Sequence, residues 1–107
     1  IARWANAAVV AREAGFTGVQ VHAAHGYLIS QFLSPLANLR RDEWGGTLEN
    51  RARLLVETVK AVRKAVGTDF TVAVKLNSAD FQKGGFAFDD CLVVAGWLAD
   101  LGVDCLE

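Results

Sequence analysis

Residues 18–27 read Gly-Val-Gln-Val-His-Ala-Ala-His-Gly-Tyr, and this stretch decides between the folds that the chain can adopt. Valines alternate with Gln20 and His22, which is the pattern of a strand with one apolar face and one polar face. The strand then runs into a loop that lacks the glycine-rich turn G-x-G-x-x-G of a doubly wound nucleotide-binding sheet. The stretch therefore favours a (β/α) barrel over a doubly wound sheet.

The same stretch holds both histidines of the chain, His22 and His25, and its only tyrosine, Tyr27. Histidine changes its charge near neutral pH, and a tyrosine hydroxyl can donate a proton. Three such side chains close together suggest catalysis. Two histidines in an alanine-rich loop are also common as ordinary surface residues, so both interpretations are open at this point.

Helices and strands alternate on either side of this stretch. Apolar residues at helical spacing predict three helices, each followed by a glycine, over residues 1–14, 47–66 and 89–101. Alternating or apolar runs predict three strands, over residues 18–22, 70–77 and 103–106. Strands that are joined by a helix run parallel, so the chain is predicted to be an α/β unit with a parallel sheet.

Two helix starts carry local signals. Thr47 is the predicted N-cap of the second helix. Asp89 is the predicted N-cap of the third helix, with Phe88 and Val93 as a hydrophobic staple.

The connection over residues 23–46 has no regular period, apart from a short helix predicted over 27–33 before Ser34-Pro35. Connections longer than about 15 residues in compact domains are usually functional or disordered. This one carries aromatic, amide and charged side chains, namely Tyr27, Phe32, Asn38, Arg40, Asp42 and Trp44. We therefore expect it to be functional.

Composition limits the classes of protein. The 107 residues are 52% hydrophobic, which is enough for one core. The net charge of −1 does not indicate binding to nucleic acid or to an anionic membrane. No apolar run approaches the roughly 18 residues of a membrane span, and no secretory leader opens the chain, so we expect a cytoplasmic protein. Cys91 and Cys105 match no metal or disulfide spacing. A start at Ile1 without methionine predicts an excised segment.

The chain resembles the old yellow enzyme family, the FMN-dependent ene-reductases also called NADH:flavin oxidoreductases. Residues 19–28 resemble the active-site strand of that family. Its other motifs follow in order: Gln31-Phe-Leu-Ser-Pro35, then Asn38, Arg40, Asp42, Gly45-Gly46 and Glu49-Asn-Arg51, then Val74-Lys-Leu-Asn77 and Gly84-Gly-Phe86. The resemblance implies a (β/α)8 TIM barrel, which needs about 250 residues. Residues 1–107 would be the central segment of one FMN-binding domain, from the helix before strand 4 to the start of strand 6.

The resemblance also implies a reaction and its residues. In this family FMN, reduced by NADH or NADPH, passes a hydride to the β-carbon of an enone or enal. His22 and His25 would bind the substrate carbonyl oxygen, and Tyr27 would protonate the α-carbon. Lys75, with Gln20 and His22, would contact the flavin.

Two of these positions depart from the family pattern. Lys75 stands where arginine is usual, and an ammonium lacks the bidentate guanidinium fork. It could also pair with a carboxylate. Gln20 stands where glutamate is common. The polar residues of the long connection, Asn38, Arg40 and Asp42, and the neighbouring Glu49 and Arg51 are interpreted as loop scaffolding.

Three alternatives stay open at this stage. Lys75 at a strand end could be the Schiff-base lysine of a barrel lyase. His22, His25 and Glu107 could be metal ligands, although no spacing favours this and we expect no metal. A segment with open sheet edges could also be inactive by itself and self-associate.

Overall fold

The structure is a computed structural model that describes every residue from 1 to 107. It contains four helices and three strands, which in chain order are α1 (Ala2–Glu13), β1 (Gly18–Ala23), α2 (Leu28–Leu33), α3 (Leu48–Val66), β2 (Thr71–Leu76), α4 (Phe88–Asp100) and β3 (Cys105–Leu106). The strands form one parallel sheet in the order β1-β2-β3. The predicted alternation of helices and parallel strands is confirmed.

The sheet has one buried face and one open face. On the buried face, Val21, Val72 and Val74 are at most 4% exposed and pack against the helices. On the other face, His22 of β1 is paired in register with Lys75 of β2. Because side chains alternate along a strand, the polar residues predicted for one face all lie on the open one.

Helix α3 supplies the largest share of the core. Its fully buried side chains include Leu55, Val59, Val62 and Val66. Burying one such aliphatic side chain is worth about 1.5–3 kcal/mol, so this face of α3 dominates the packing energy. The core is continuous with residues from the other helices and the strands. None of the helices is both long and apolar enough to cross a membrane.

The two predicted helix caps have different outcomes. Thr47 is the N-cap of α3, and its hydroxyl accepts a hydrogen bond from the Asn50 N–H at 3.3 Å. The predicted Asp89 cap and Phe88–Val93 staple of α4 are wrong. The N-cap is Ala87, so Phe88 is the first helical residue and is 57% exposed. Asp89 and Asp90 lie in the first turn, where their charge favours the positive end of the helix dipole.

Arg63 joins the amino-terminal ends of β2 and β3. Its guanidinium donates to the carbonyl oxygens of Phe70 at 2.7 Å and Gly102 at 2.6 Å, and to the Asp104 carboxylate at 2.6 Å. Asp104 also accepts from the Val72 N–H at 2.8 Å. The Val72 hydrogen bond, and after it the Arg63 hydrogen bond, lower the pKa of Asp104. This end of the sheet is therefore held by charge-assisted bonds.

The long connection is ordered by buried polar side chains. Asn38, 4% exposed, donates to the carbonyl oxygens of Phe32 at 2.8 Å and Trp44 at 2.7 Å. The Arg51 guanidinium donates to the carbonyl oxygens of Gly46 at 3.1 Å and Leu33. These are the contacts expected of loop scaffolding, and they fix the loop that follows the short helix α2.

Two glycine substitutions test this description. A Cβ on Gly45 would lie 2.9 Å from the carbonyl carbon of Arg40, whereas a Cβ on Gly96 would meet nothing within 4 Å. We expect Gly45→Ala to lower the free energy of unfolding by about 1–3 kcal/mol through overpacking. Gly96→Ala in α4 should raise it by about 0.5–1 kcal/mol, because alanine is the better helix former. Urea unfolding measures both, and equal stability of the two variants would contradict the loop geometry.

Candidate active site

The candidate site lies where β1 and β2 end. Because the two strands are parallel and in register from Gly18↔Thr71 to Ala23↔Leu76, their carboxyl ends meet at the same edge of the sheet. A cavity of about 920 Å³ opens at this edge. Its lining includes polar and aromatic side chains from β2, from α2 and from the segments that follow the three strands, namely His25, Ser30, Lys75, Asn77, Phe81 and Glu107.

The three predicted catalytic side chains lie close together. The ring centroid of His22 is 5.2 Å from that of His25 and 5.0 Å from that of Tyr27, both in edge-to-face geometry. All three side chains are exposed at the edge of the sheet. The structure thus brings the two imidazoles and the phenol together; His25 lines the cavity, and His22 and Tyr27 lie outside its lining.

A backbone contact sets which nitrogen of His22 can donate. The Nδ1 atom of His22 accepts a hydrogen bond from the Ala24 N–H at 3.3 Å. A neutral imidazole whose Nδ1 is an acceptor carries its proton on Nε2. His22 is therefore left with an Nε2–H donor that makes no hydrogen bond within the chain.

The carboxylate of Glu107, which directly follows β3, links side chains of β1 and β2. The Lys75 ammonium lies 2.5 Å from one oxygen of Glu107, and the Gln20 amide donates to the other oxygen at 2.8 Å. The alternative in which Lys75 pairs with a carboxylate is therefore observed, and Gln20 shares the same partner. The Lys75 hydrogen bond, followed by the Gln20 hydrogen bond, lowers the pKa of Glu107.

Sequence reasoning missed the contact between Asn77 and the histidine loop. The Asn77 Oδ1 atom accepts a hydrogen bond from the His25 N–H at 3.0 Å. A signal was present, because Asn77 follows β2 on the polar side and would stand beside whatever follows β1. What the sequence does not give is the path of the loop that brings the His25 N–H to this amide.

The metal alternative finds no support. The structure contains no group of three or more histidine, cysteine, aspartate or glutamate side chains placed to hold a metal ion. His22, His25 and Glu107 do not form one, because the Glu107 carboxylate is directed to Lys75 and Gln20.

The Glu107 cluster makes stability depend on pH. Since folding lowers the pKa of Glu107 below its ordinary value of 4.5, the cluster stabilises the fold above that pH. This stabilisation is lost as the pH falls through the lower pKa of the folded state. We expect Glu107→Gln to unfold at lower urea than the parent chain at pH 7, and the difference to shrink toward zero as the pH approaches about 2.

Glu13→Gln is the matched control for this measurement. The Glu13 side chain is exposed and makes no hydrogen bond or ion pair, so its substitution should leave the pH dependence unchanged. A Glu107→Gln difference that is the same at both ends of the pH range would contradict the proposed linkage.

The sequence profile of the NADH:flavin oxidoreductase / NADH oxidase family matches residues 1–107. The chain belongs to that family, whose members use FMN and a nicotinamide nucleotide. The predicted membership is confirmed.

Individual relatives are similar along the whole chain. It is 44% identical over 102 residues to an NADPH dehydrogenase of Bacillus pumilus, covering 95% of this chain and 30% of that protein. It is 43% identical over 107 residues to the NADH-dependent flavin oxidoreductase iliE of Neonectria sp., covering 100% of this chain and 14% of that protein. The chain thus spans a third or less of the length of these relatives.

Solved structures agree with the fold. An old yellow enzyme homologue from Zymomonas mobilis superposes with a TM-score of 0.85 at 38% identity, over 96% of this chain and 30% of that one. A 2-naphthoyl-CoA reductase in complex with 2-naphthoyl-CoA superposes with a TM-score of 0.92 at 41% identity, over 96% of this chain and 16% of that one. The predicted α/β fold, part of a (β/α)8 barrel, is confirmed.

Proposed function

We propose that residues 1–107 form the central segment of an FMN-dependent ene-reductase barrel, which uses NADH or NADPH to reduce the C=C bond of an enone or enal. The observation that carries this proposal is the cluster at the end of β1 in which the His22 ring lies 5.2 Å from that of His25 and 5.0 Å from that of Tyr27. Relatives named NADPH dehydrogenase and NADH-dependent flavin oxidoreductase support the nicotinamide as reductant. The predicted cytoplasmic location stays a prediction.

The donors on the open face of the sheet fit the polar edge of a flavin. Gln20 and Lys75 project from adjacent strands and offer amide and ammonium N–H groups, and His22 on the same face would contact the flavin with its ring. Carbonyl oxygens and ring nitrogens of an isoalloxazine accept such hydrogen bonds. The Lys75 ammonium has three N–H donors, and Glu107 uses one of them, so two are left for a ligand. When bound, FMN supplies the hydride.

The histidines would stabilise the negative charge that grows on the substrate oxygen. As the β-carbon gains a hydride, electron density moves to the carbonyl oxygen, which becomes an enolate. The Nε2–H of His22 is available as a donor because its Nδ1 is already bonded to the Ala24 N–H. His25 provides the second donor. A preorganised donor of this kind is typically worth about 3 kcal/mol in the transition state.

Tyr27 would complete the reaction by protonating the α-carbon. Its side chain is 63% exposed, so the hydroxyl can reach a substrate held by the histidines. The His22 ring lies 5.0 Å from the tyrosine ring at an interplanar angle of 65°. A phenol hydroxyl positioned in this way acts as a general acid.

Lys75 is less suited to Schiff-base chemistry. Its ammonium is 2.5 Å from the Glu107 carboxylate. An ammonium in an ion pair has no lone pair with which to attack a carbonyl carbon. We therefore propose a flavin-facing role for Lys75 and no lyase activity.

The central test follows the flavin in the full-length protein. We expect a flavin absorption band that NAD(P)H bleaches and that 2-cyclohexenone restores under anaerobic conditions. Tyr27→Phe should slow the enone step by about 10²–10⁴-fold, and His22→Ala by about 10²–10³-fold. Tyr27→Phe keeps the ring, so its FMN content should match the parent. Absence of a flavin band, or no reoxidation by any enone or enal, would overturn the proposal.

The 107-residue chain alone should behave differently from the whole barrel. Strands β1 and β3 are the edges of an open sheet, and unpaired edges favour pairing with another chain. We expect sedimentation velocity to find dimers or larger species, with no bound FMN and no turnover. A colourless monomer would contradict self-association. A yellow species with tightly bound FMN would contradict the expectation that this segment holds only part of the cofactor site.

A further inference from the structure

The loop after β1 contains two consecutive residues with left-handed backbone. His25 has φ 61° and Gly26 has φ 75°. Glycine adopts this conformation freely, but histidine does so only when its surroundings hold it there. Because His25 is one of the two candidate oxyanion donors, the groups that hold its backbone also fix the place of its imidazole.

The backbone groups of these two residues that form hydrogen bonds do so with side chains and not with the backbone of a helix or strand. The Asn77 Oδ1 atom accepts from the His25 N–H at 3.0 Å, and the Ser30 hydroxyl accepts from the Gly26 N–H at 3.2 Å. The Gln31 amide donates to the Gly26 carbonyl oxygen at 2.7 Å. The left-handed conformation therefore depends on one residue after β2 and two residues of α2.

Asn77 is itself held in a single orientation. Its Nδ2 atom donates to the Asp80 carboxylate at 3.2 Å, and a carboxylate can only accept. The other carboxylate oxygen of Asp80 accepts from the Phe86 N–H at 3.0 Å, and the Asp80 N–H donates to the Phe86 carbonyl oxygen at 2.9 Å. The amide of Asn77 must therefore present its oxygen to His25.

We infer that Asn77 is a positioning residue for His25: it locks the left-handed backbone that aims the imidazole at the substrate oxygen, with Ser30 holding Gly26 beside it. This inference rests on the proposed function. Asn77 bonds to the backbone of residue 25 and takes no part in proton or hydride transfer. Without its oxygen, residue 25 relaxes to the right-handed region and the imidazole leaves the site.

The test uses the full-length FMN-loaded protein, photoreduced without nicotinamide and then mixed with either 2-cyclohexenone or O₂. Reduction of O₂ needs no donor to a carbonyl oxygen. We expect Asn77→Ala to slow reoxidation by 2-cyclohexenone about 10–100-fold and reoxidation by O₂ less than twofold. Lys83→Ala is the control, because the exposed Lys83 side chain lies in the same loop as Asn77, does not line the cavity and makes no hydrogen bond or ion pair. It should leave both rates unchanged.

A double-mutant cycle separates positioning from a general structural effect. In a His25→Ala background, Asn77→Ala should slow the enone step by no more than about twofold, because the group that it positions is gone. Three outcomes would overturn the inference. Asn77→Ala could slow the enone step equally in the parent and His25→Ala backgrounds, slow reoxidation by O₂ as much as reoxidation by the enone, or change neither rate. Ser30→Ala should show the same dependence on His25 and serves if Asn77→Ala does not fold.

Failure of the inference differs from failure of the proposed function. If the parent protein shows a flavin band and reacts with 2-cyclohexenone while Asn77→Ala matches it, only the positioning role is wrong. If the parent protein has no flavin, the proposed function is wrong and the inference falls with it.

Discussion

The parallel pairing of β1 with β2 is the constraint on which the rest of the structure depends. It sets His22 beside Lys75 and makes both strands end at the same edge. The loops that follow must then start side by side, which is why an amide after β2 can bond the backbone of a histidine after β1. An antiparallel pairing would separate these two loops by the length of a strand.

The two ends of this sheet carry polar groups for different purposes. At the amino-terminal end, Arg63 and Asp104 bond mainly to backbone groups of the adjoining strands and turns, and so hold the helices and strands together. At the carboxyl end, the His22 Nε2 atom and the Tyr27 hydroxyl make no hydrogen bond within the chain, and His25 is held in a conformation unfavourable for a histidine. In parallel barrels the carboxyl end is the usual place for chemistry, and the opposite end for stability.

Much of this arrangement could be predicted from residue patterns, and the failures have physical causes. The alternation around Gln20 and His22 was enough to assign the polar face, because side-chain direction in a strand has a period of two. The start of α4 differs from the prediction because Asp89 is a good cap by residue type, while the turn before the helix is set by Asp80 bonding to Phe86. The partner of Gln20 and Lys75 could not be foreseen, since Glu107 lies 32 residues beyond Lys75.

The sequence by itself determined the order of helices and strands, the open polar face and, through its motifs, the family. These are properties of local periodicity and of residue types at fixed spacings, which a linear chain carries directly. Only the tertiary structure decided which donors are free, which carboxylate Lys75 meets and how His25 is held in place. Those contacts join residues far apart in the chain, and their geometry exists only after β1 and β2 have paired and the loops beyond them have closed.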